Sequence, residues 1–151
     1  MNIELLLNHW VLKELKNKKG ELIMRLWHES LLKKLPRQQI LGLHREICAL
    51  REDGWGKKHS VVDYVFTNPY LKLVAYHMRV ISEMEQRGYE VDPEWKQYNY
   101  RGKTLGYDNY NGEDVASLQV YLKRFPVYSE HNEEYLQESL DNLSKKGAKL
   151  L

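Results

Sequence analysis

From Leu35 onward, apolar residues recur at three- and four-residue steps: Ile40, Leu43, Ile47 and Leu50, flanked by Leu41 and Cys48. That spacing lays one apolar stripe along a helix. Leu35-Pro36 marks its entrance, because a proline in the first turn forfeits no intrahelical hydrogen bond. The helix is expected to run to Arg51 and to stop near Asp53-Gly54. Gln38, Gly42, Arg45, Glu46 and Ala49 fall on its other side. A solvated face is more often filled with long lysines and glutamates, and a glycine inside a helix costs about 1 kcal/mol relative to alanine. Two readings stand for this face: something approaches it closely, or it is a water-facing surface with small residues.

The remaining pattern predicts helices on both sides of this one. Residues 2–18 can form a helix on Leu5, Leu6, Val11, Leu12 and Leu15, ended by the stretch from Asn17 to Gly20; residues 28–34 suggest a short one. Ser60 and Asp63 read as a capping pair for a short helix to Phe66. Asn68-Pro69 then opens a longer helix with Leu71, Val74, Met78, Ile81 and Met84 on one side and Gly88 as terminator. Periodicity vanishes from Tyr89 to Gly112. There Trp95, Tyr98, Tyr100, Tyr107 and Tyr110 alternate with Lys96, Arg101 and Lys103, a composition suited either to stacking on bases or to a long loop pinned to the core by its tyrosines. Two further helices are expected at 114–125 and 130–146, the second capped by Ser129, led by acids and closed by lysines in keeping with the helix dipole. No segment alternates over strand length and no repeat is present. The expected fold is all-α, a single compact domain of several packed helices with a long irregular loop around 89–112.

Charge changes the picture only through its distribution. The 151 residues carry a formal charge of +2, too little for a uniformly basic nucleic-acid binder. Between Lys33 and Lys58, however, seven Lys/Arg stand against Glu46, Glu52 and Asp53, whereas Glu130 to Asp141 holds five acids and no Lys/Arg. One region therefore offers a positive surface to an anionic partner, with the helix after Ser129 expected on the far side. Gly54-Trp55-Gly56-Lys57-Lys58-His59 reads equally as a phosphate-binding loop and as a tight turn around a buried Trp55. Cys48 is the single cysteine, so no internal disulfide forms and a small packed thiol is expected. His59 and Asp63 are four apart but lack two further zinc ligands at a recognisable spacing; His28, His44 and His77 offer no such pattern, and His44 reads as a packed, hydrogen-bonded histidine. No metal, no small-molecule cofactor and no membrane partner is expected. No apolar run reaches membrane-spanning length, and Leu5-Leu6-Leu7 lacks a basic leader and a cleavage site, so the expected location is cytoplasmic.

Arg45-Glu46, 21 positions after Arg25, supplies a motif and spacing that resemble the pyrimidine-dimer DNA glycosylase family, the phage endonuclease V type and its bacterial branch. The stretch from Ile81 to Val91, with Arg87-Gly88-Tyr89 at its centre, is similar to the family's helix-ending Arg-Gly-aromatic segment, and Lys58-His59 resembles its Gly-His element. The resemblance covers Met24 to about Val91.

It implies a DNA repair glycosylase with abasic-site lyase activity, acting on ultraviolet pyrimidine dimers in double-stranded DNA through a terminal-amine Schiff base. Glu46 takes the place of the catalytic glutamate, with Arg45 beside it, and the nucleophilic amine falls at Arg25 or at Met24 just before it. An α-amine has a pKa of about 7.7–8.0 against about 10.4 for lysine, so more of it is unprotonated at neutral pH. Implied DNA contacts are Arg37, Gln38, Arg45, Arg51, Lys57, Lys58 and His59, with Arg45, Arg51, Lys57 and Lys58 expected on one positive surface around Glu46. The chain departs from the family's best-known member at Arg25, where that protein has a small residue, and at Leu26 and Ala49, where it has arginines. Those departures favour the alternative of a non-catalytic helical DNA-binding or interaction module retaining the fold. A terminal amine at Met24 also makes residues 1–23 an N-terminal extension outside the native 24–151 domain. Lys19-Gly20-Glu21 can be encoded with a ribosome-binding AAGGAG tract at a suitable distance before Met24. A genuine N-terminal helix is the competing reading.

Overall fold

The computed structural model describes residues 26–54 and 63–151, with the side chains of residues 53, 54 and 63 excepted. The expected helix at 2–18 and most of the 54–59 loop lie outside the described residues, as does Ser60 of the capping pair. Among the described residues the protein is all-α; the isolated bridge between Tyr100 and Tyr107 is its β pairing. The expected all-α fold is what forms.

Among the described residues the elements are α1 (Glu29–Lys34, a 3-10 helix), α2 (Arg37–Ala49) continued by a π turn (Leu50–Gly54), α3 (Asp63–Thr67), α4 (Tyr70–Gln86), a 3-10 turn (Pro93–Lys96) and α5 (Gly102–Leu105) within the expected loop, α6 (Gly112–Lys123) and α7 (Glu133–Lys145). α4 is the central helix. It packs against α1, α2, α3 and α6. Pro36 caps α2 with extended backbone, and Ile40, Leu43, Ile47 and Leu50 are buried as their spacing predicts.

On α4 the buried stripe is broader than the apolar letters suggest. Leu73, Val74, Tyr76, His77, Val80, Ile81 and Met84 are buried, while the expected core positions Leu71 and Met78 are only partly so. Tyr76 and His77 enter the interior because both find hydrogen-bond partners there, which offsets the cost of burying a polar atom. Arg87 ends α4 and Gly88 turns the chain with φ +83°, a left-handed conformation that glycine adopts without a Cβ clash.

Two end signals differ from expectation. α6 is capped by Asn111, whose side chain accepts from the Asp114 amide while Asp114 accepts from the Asn111 amide, a reciprocal cap that the aromatic run before it obscures. α7 is capped by Asn132 rather than Ser129: Asn132 accepts from the Tyr135 amide at 2.9 Å. Ser129 instead faces the Glu130 carboxylate. No described helix is long and apolar enough to cross a membrane.

The segment 89–112 is held from beneath. Arg51, 0% exposed, donates to the carbonyls of Trp95, Gln97, Tyr98 and Tyr100 and to Nδ1 of His77. Five acceptors around one guanidinium satisfy a cation that would otherwise be very costly to bury. The Trp95 ring packs on the same guanidinium at 5.1 Å. Pinning of this loop to the core is therefore what forms, with an arginine as the principal anchor beside Tyr100 and Tyr110.

Candidate active site

Glu46 sits in the third turn of α2, and its carboxyl is buried, at 5% exposure. Its neighbours on the small-residue face are not all solvated either. Gly42 is buried, Arg45 and Ala49 are partly buried, and Gln38 and Arg37 are exposed at the start of the helix. Close approach is thus the reading that holds for the middle of this face. The Arg37 guanidinium lies over the Tyr89 ring at 4.9 Å.

Burial drives the Glu46 carboxyl up to about 8, and the nearby Lys146 ammonium pulls only partly against it. Desolvation wins because a carboxylate loses more from leaving water than one cation returns. Its Oε1 has no hydrogen-bond partner among the described residues. An orphaned buried acceptor costs about 1–3 kcal/mol and concentrates at sites where a ligand or reacting group completes the set. Lys146 reaches this place from the end of α7, its Nζ 5.6 Å from the centre of the Trp27 ring.

A directed hydrogen-bond chain anchors the backbone leading into α1. The Glu29 amide donates to Nδ1 of His131 at 3.0 Å, so that neutral ring carries its proton on Nε2 and donates to the Tyr64 hydroxyl at 2.8 Å. Tyr64 donates in turn to the Tyr135 hydroxyl at 3.0 Å, and Tyr135 to the Leu26 carbonyl. Tyr76 donates to the Trp27 carbonyl at 2.5 Å, and the His28 amide to Ser139 Oγ at 3.3 Å. Four consecutive residues, Leu26 to Glu29, are each fixed by a side chain from α4, α7 or the turn before α7. Burial pushes His131 down to about 3, and the adjacent His28 adds to the effect, in keeping with its role as a neutral acceptor.

Residues 24–97 match the sequence model of the pyrimidine dimer DNA glycosylases. The match makes that stretch similar to the pyrimidine dimer DNA glycosylase family. It covers just under half of the chain. No curated protein matches significantly, and neither does any solved structure. The activity class that the family's description carries is DNA glycosylase, with DNA as the substrate.

Around the matched stretch the candidate residues separate. Glu46 and Arg45 share the middle of α2, with Arg37 and Gln38 at its exposed start. Arg51 does not join a positive surface around Glu46: it is fully buried and committed to carbonyl oxygens. Met24, Arg25, Lys57, Lys58 and His59 lie outside the described residues. The acidic helix is a second correction. α7 is not on the far side, since Tyr135, Ser139 and Lys146 face the Leu26–Glu29 segment and Glu46. Its acids Glu133 and Glu134 are exposed. Nothing local in the sequence announces Lys146 or His131, because their roles depend on partners about a hundred residues away.

A groove of about 560 Å³ between α1, α4 and α6 holds Met78, Leu122 and Phe125 and none of the candidate residues. A different convergence went unseen in the sequence: His44, Cys48 and His77 come together between α2 and α4. His44 and Cys48 are one helical turn apart, the one signal available, but the third member lies on another helix.

Proposed function

We propose that this protein is a DNA glycosylase with abasic-site lyase activity, acting on ultraviolet pyrimidine dimers in double-stranded DNA through a terminal-amine Schiff base. The observation that carries the reading is the Glu46 carboxyl: buried, raised to about 8, and with one oxygen unpartnered among the described residues, inside the stretch that matches the glycosylase family.

The amine attacks C1′ of the damaged nucleotide, and the C1′–base bond breaks with its electron pair leaving on the base. The base takes up a proton, the sugar ring opens as the C1′–O4′ bond breaks and O4′ is protonated, and the nitrogen lone pair forms a protonated imine with C1′ that carries the positive charge. Loss of a C2′ proton then drives β-elimination, which breaks the C3′–oxygen bond and releases the 3′ phosphate. Hydrolysis of the imine frees the amine. A carboxyl that ionises near neutrality is suited to the proton transfers. Once the cation forms beside it, the carboxylate is favoured by the same low-dielectric surroundings that disfavour it alone. The C1′ of a stacked nucleotide is shielded, so the substrate must be distorted with a base extruded.

This mechanism needs a free amine at Met24 or Arg25 and assigns residues 1–23 to an extension outside the working domain. The family match opening at residue 24 supports that assignment. Bacterial methionine aminopeptidase generally spares methionine before a bulky residue, which favours Met24 over Arg25 as the nucleophile. Phosphate contacts fall to Arg37, Gln38 and Arg45 together with Lys57, Lys58 and His59, without Arg51.

The test is incision of a duplex carrying one dimer and of a duplex carrying one abasic site, with borohydride trapping of forms beginning at Met1 and at Met24. Trapping by the Met24 form alone is expected. Equal trapping by both forms removes the terminal amine from the mechanism, and cleavage of neither duplex removes the enzymatic reading.

A further inference from the structure

His44 Nδ1 lies 2.9 Å from His77 Nε2, and the Cys48 sulfur lies 4.0 Å from the first and 3.9 Å from the second. A triangle with those sides has a centre about 2.1 Å from every corner, where zinc–nitrogen bonds measure about 2.0–2.1 Å and zinc–sulfur bonds about 2.3 Å. We propose that His44, Cys48 and His77 form a metal site for a borderline or soft transition ion, zinc(II) foremost, bridging α2 and α4.

The donor set suits that class. Two imidazoles and a thiolate select zinc or copper over the hard, oxygen-seeking magnesium and calcium. Cys48 and His77 are buried while His44 is partly exposed, so an ion enters from the His44 side, where a fourth position stays open to water. Trp95 closes the other side, its ring centre 6.0 Å from that of His77. His44 and Cys48 each stand two positions from Glu46, about 200° around a helix of 3.6 residues per turn. The ion therefore sits on the face of α2 opposite the carboxyl, and its role is to clamp the helix that carries Glu46 against the central helix. It takes no part in the proposed glycosylase reaction, and the site stands whether or not that reaction is confirmed.

Arg51 sets the proton balance. Its NH1 donates to His77 Nδ1 at 2.9 Å, so the metal-free His77 holds its proton on Nε2 and donates it to His44 Nδ1. Binding at Nε2 moves that proton to Nδ1, and NH1 keeps the Trp95 carbonyl, 3.3 Å away, as its acceptor. The Cys48 thiol gives up its own proton to solvent. One proton is released per ion bound, and the Arg51 charge restrains the affinity.

The experiment titrates the full chain, freed of metal by chelation, with cobalt(II) and then zinc(II). Expected are a thiolate-to-cobalt charge-transfer absorption saturating at one equivalent, its loss on adding zinc, and a higher melting temperature with zinc. His44→Ala should weaken cobalt binding by more than about 100-fold, beyond what loss of an outer-shell partner costs. Cys48→Ser should abolish the absorption. Because a variant at a packed position can fail to fold, the wild type supplies a second readout: zinc should slow alkylation of Cys48, the single cysteine. Absence of the absorption and of any protection by zinc overturns the proposal and leaves a metal-free hydrogen-bond chain. Equal cobalt binding by wild type and a folded His44→Ala variant overturns it as well.

Discussion

Replacing Arg51 by methionine separates a structural arginine from a phosphate-binding one. Methionine keeps the length of the aliphatic stem but removes all the donors, which leaves the carbonyls of Trp95, Gln97, Tyr98 and Tyr100 and Nδ1 of His77 without this partner. Each hydrogen bond to a charged group is worth about 1.5–3 kcal/mol, but the five do not add. Carbonyls on the outer side of the 89–112 segment regain water, and the buried cation that methionine replaces had itself been costly to desolvate. The net loss expected is about 3–4 kcal/mol. For a domain of this size that lowers the melting temperature by about 6–16 °C, at roughly 2–4 °C per kcal/mol. Urea unfolding followed by tryptophan fluorescence and by circular dichroism measures it, with Arg51→Lys as a control that keeps the charge. DNA affinity of the folded fraction, and its dependence on salt, should stay unchanged, because a buried guanidinium releases no counterions. A variant within about 1 kcal/mol of wild type, or one with a flattened salt dependence, refutes the assignment of Arg51 as the loop anchor.

Glu46→Gln preserves shape and removes the titrating group, so folding should be retained while incision of a dimer duplex falls by at least about 100-fold, the lower range for a proton-transfer group; near-normal incision rates would exclude Glu46 from the chemistry. His131 is held near 3 in the folded protein against 6.5 for the free side chain, so the unfolded chain takes up a proton that the folded one refuses. Its contribution to stability is complete above pH 6.5 and is lost as pH falls toward 3, at up to about 1.4 kcal/mol per unit. Melting temperatures between pH 7 and 4 should decline accordingly, and His131→Gln should flatten that decline. Tyr135→Phe removes the donor to the Leu26 carbonyl and should cost about 1–2 kcal/mol while lowering imine trapping by the Met24 form; an unchanged trapping rate would separate this anchor from the amine.

The apolar stripe of α2 was legible because Ile40, Leu43, Ile47 and Leu50 satisfy one short-range rule, and α4, α6 and α7 followed from the same periodicity. Glu46 was found through its spacing from residue 25, which reflects family resemblance rather than local physics. Its burial was not visible, since a helix's hidden arc depends on what packs there, and Lys146 arrives from the other end of the chain. Arg51 was misread for a related reason. A lone arginine at a helix end reads as surface, and only four carbonyls lying 44 to 49 residues further on make its burial tolerable. His44 and Cys48 carried two of the three members of a ligand pattern, but His77 was hidden among the apolar residues of α4. Leu71 and Met78 show the opposite error, where hydrophobic letters overstated burial.

The anchoring of Leu26 to Glu29 by His131, Tyr135 and Ser139 joins residues separated by 102 to 111 positions. In a chain growing from the ribosome, the stretch matched by the glycosylase family is complete long before those three side chains exist. α2 and α4 have their mutual contacts available early, and Tyr76 of α4 can already hold the Trp27 carbonyl, but the Leu26 carbonyl and the His28 and Glu29 amides gain their side-chain partners only when His131 and α7 are made. Loop closure over such separations is slow compared with forming a helix. α7 therefore completes the placing of the first described residues, and the catalytic geometry proposed around Glu46 becomes available only once α7 has been made.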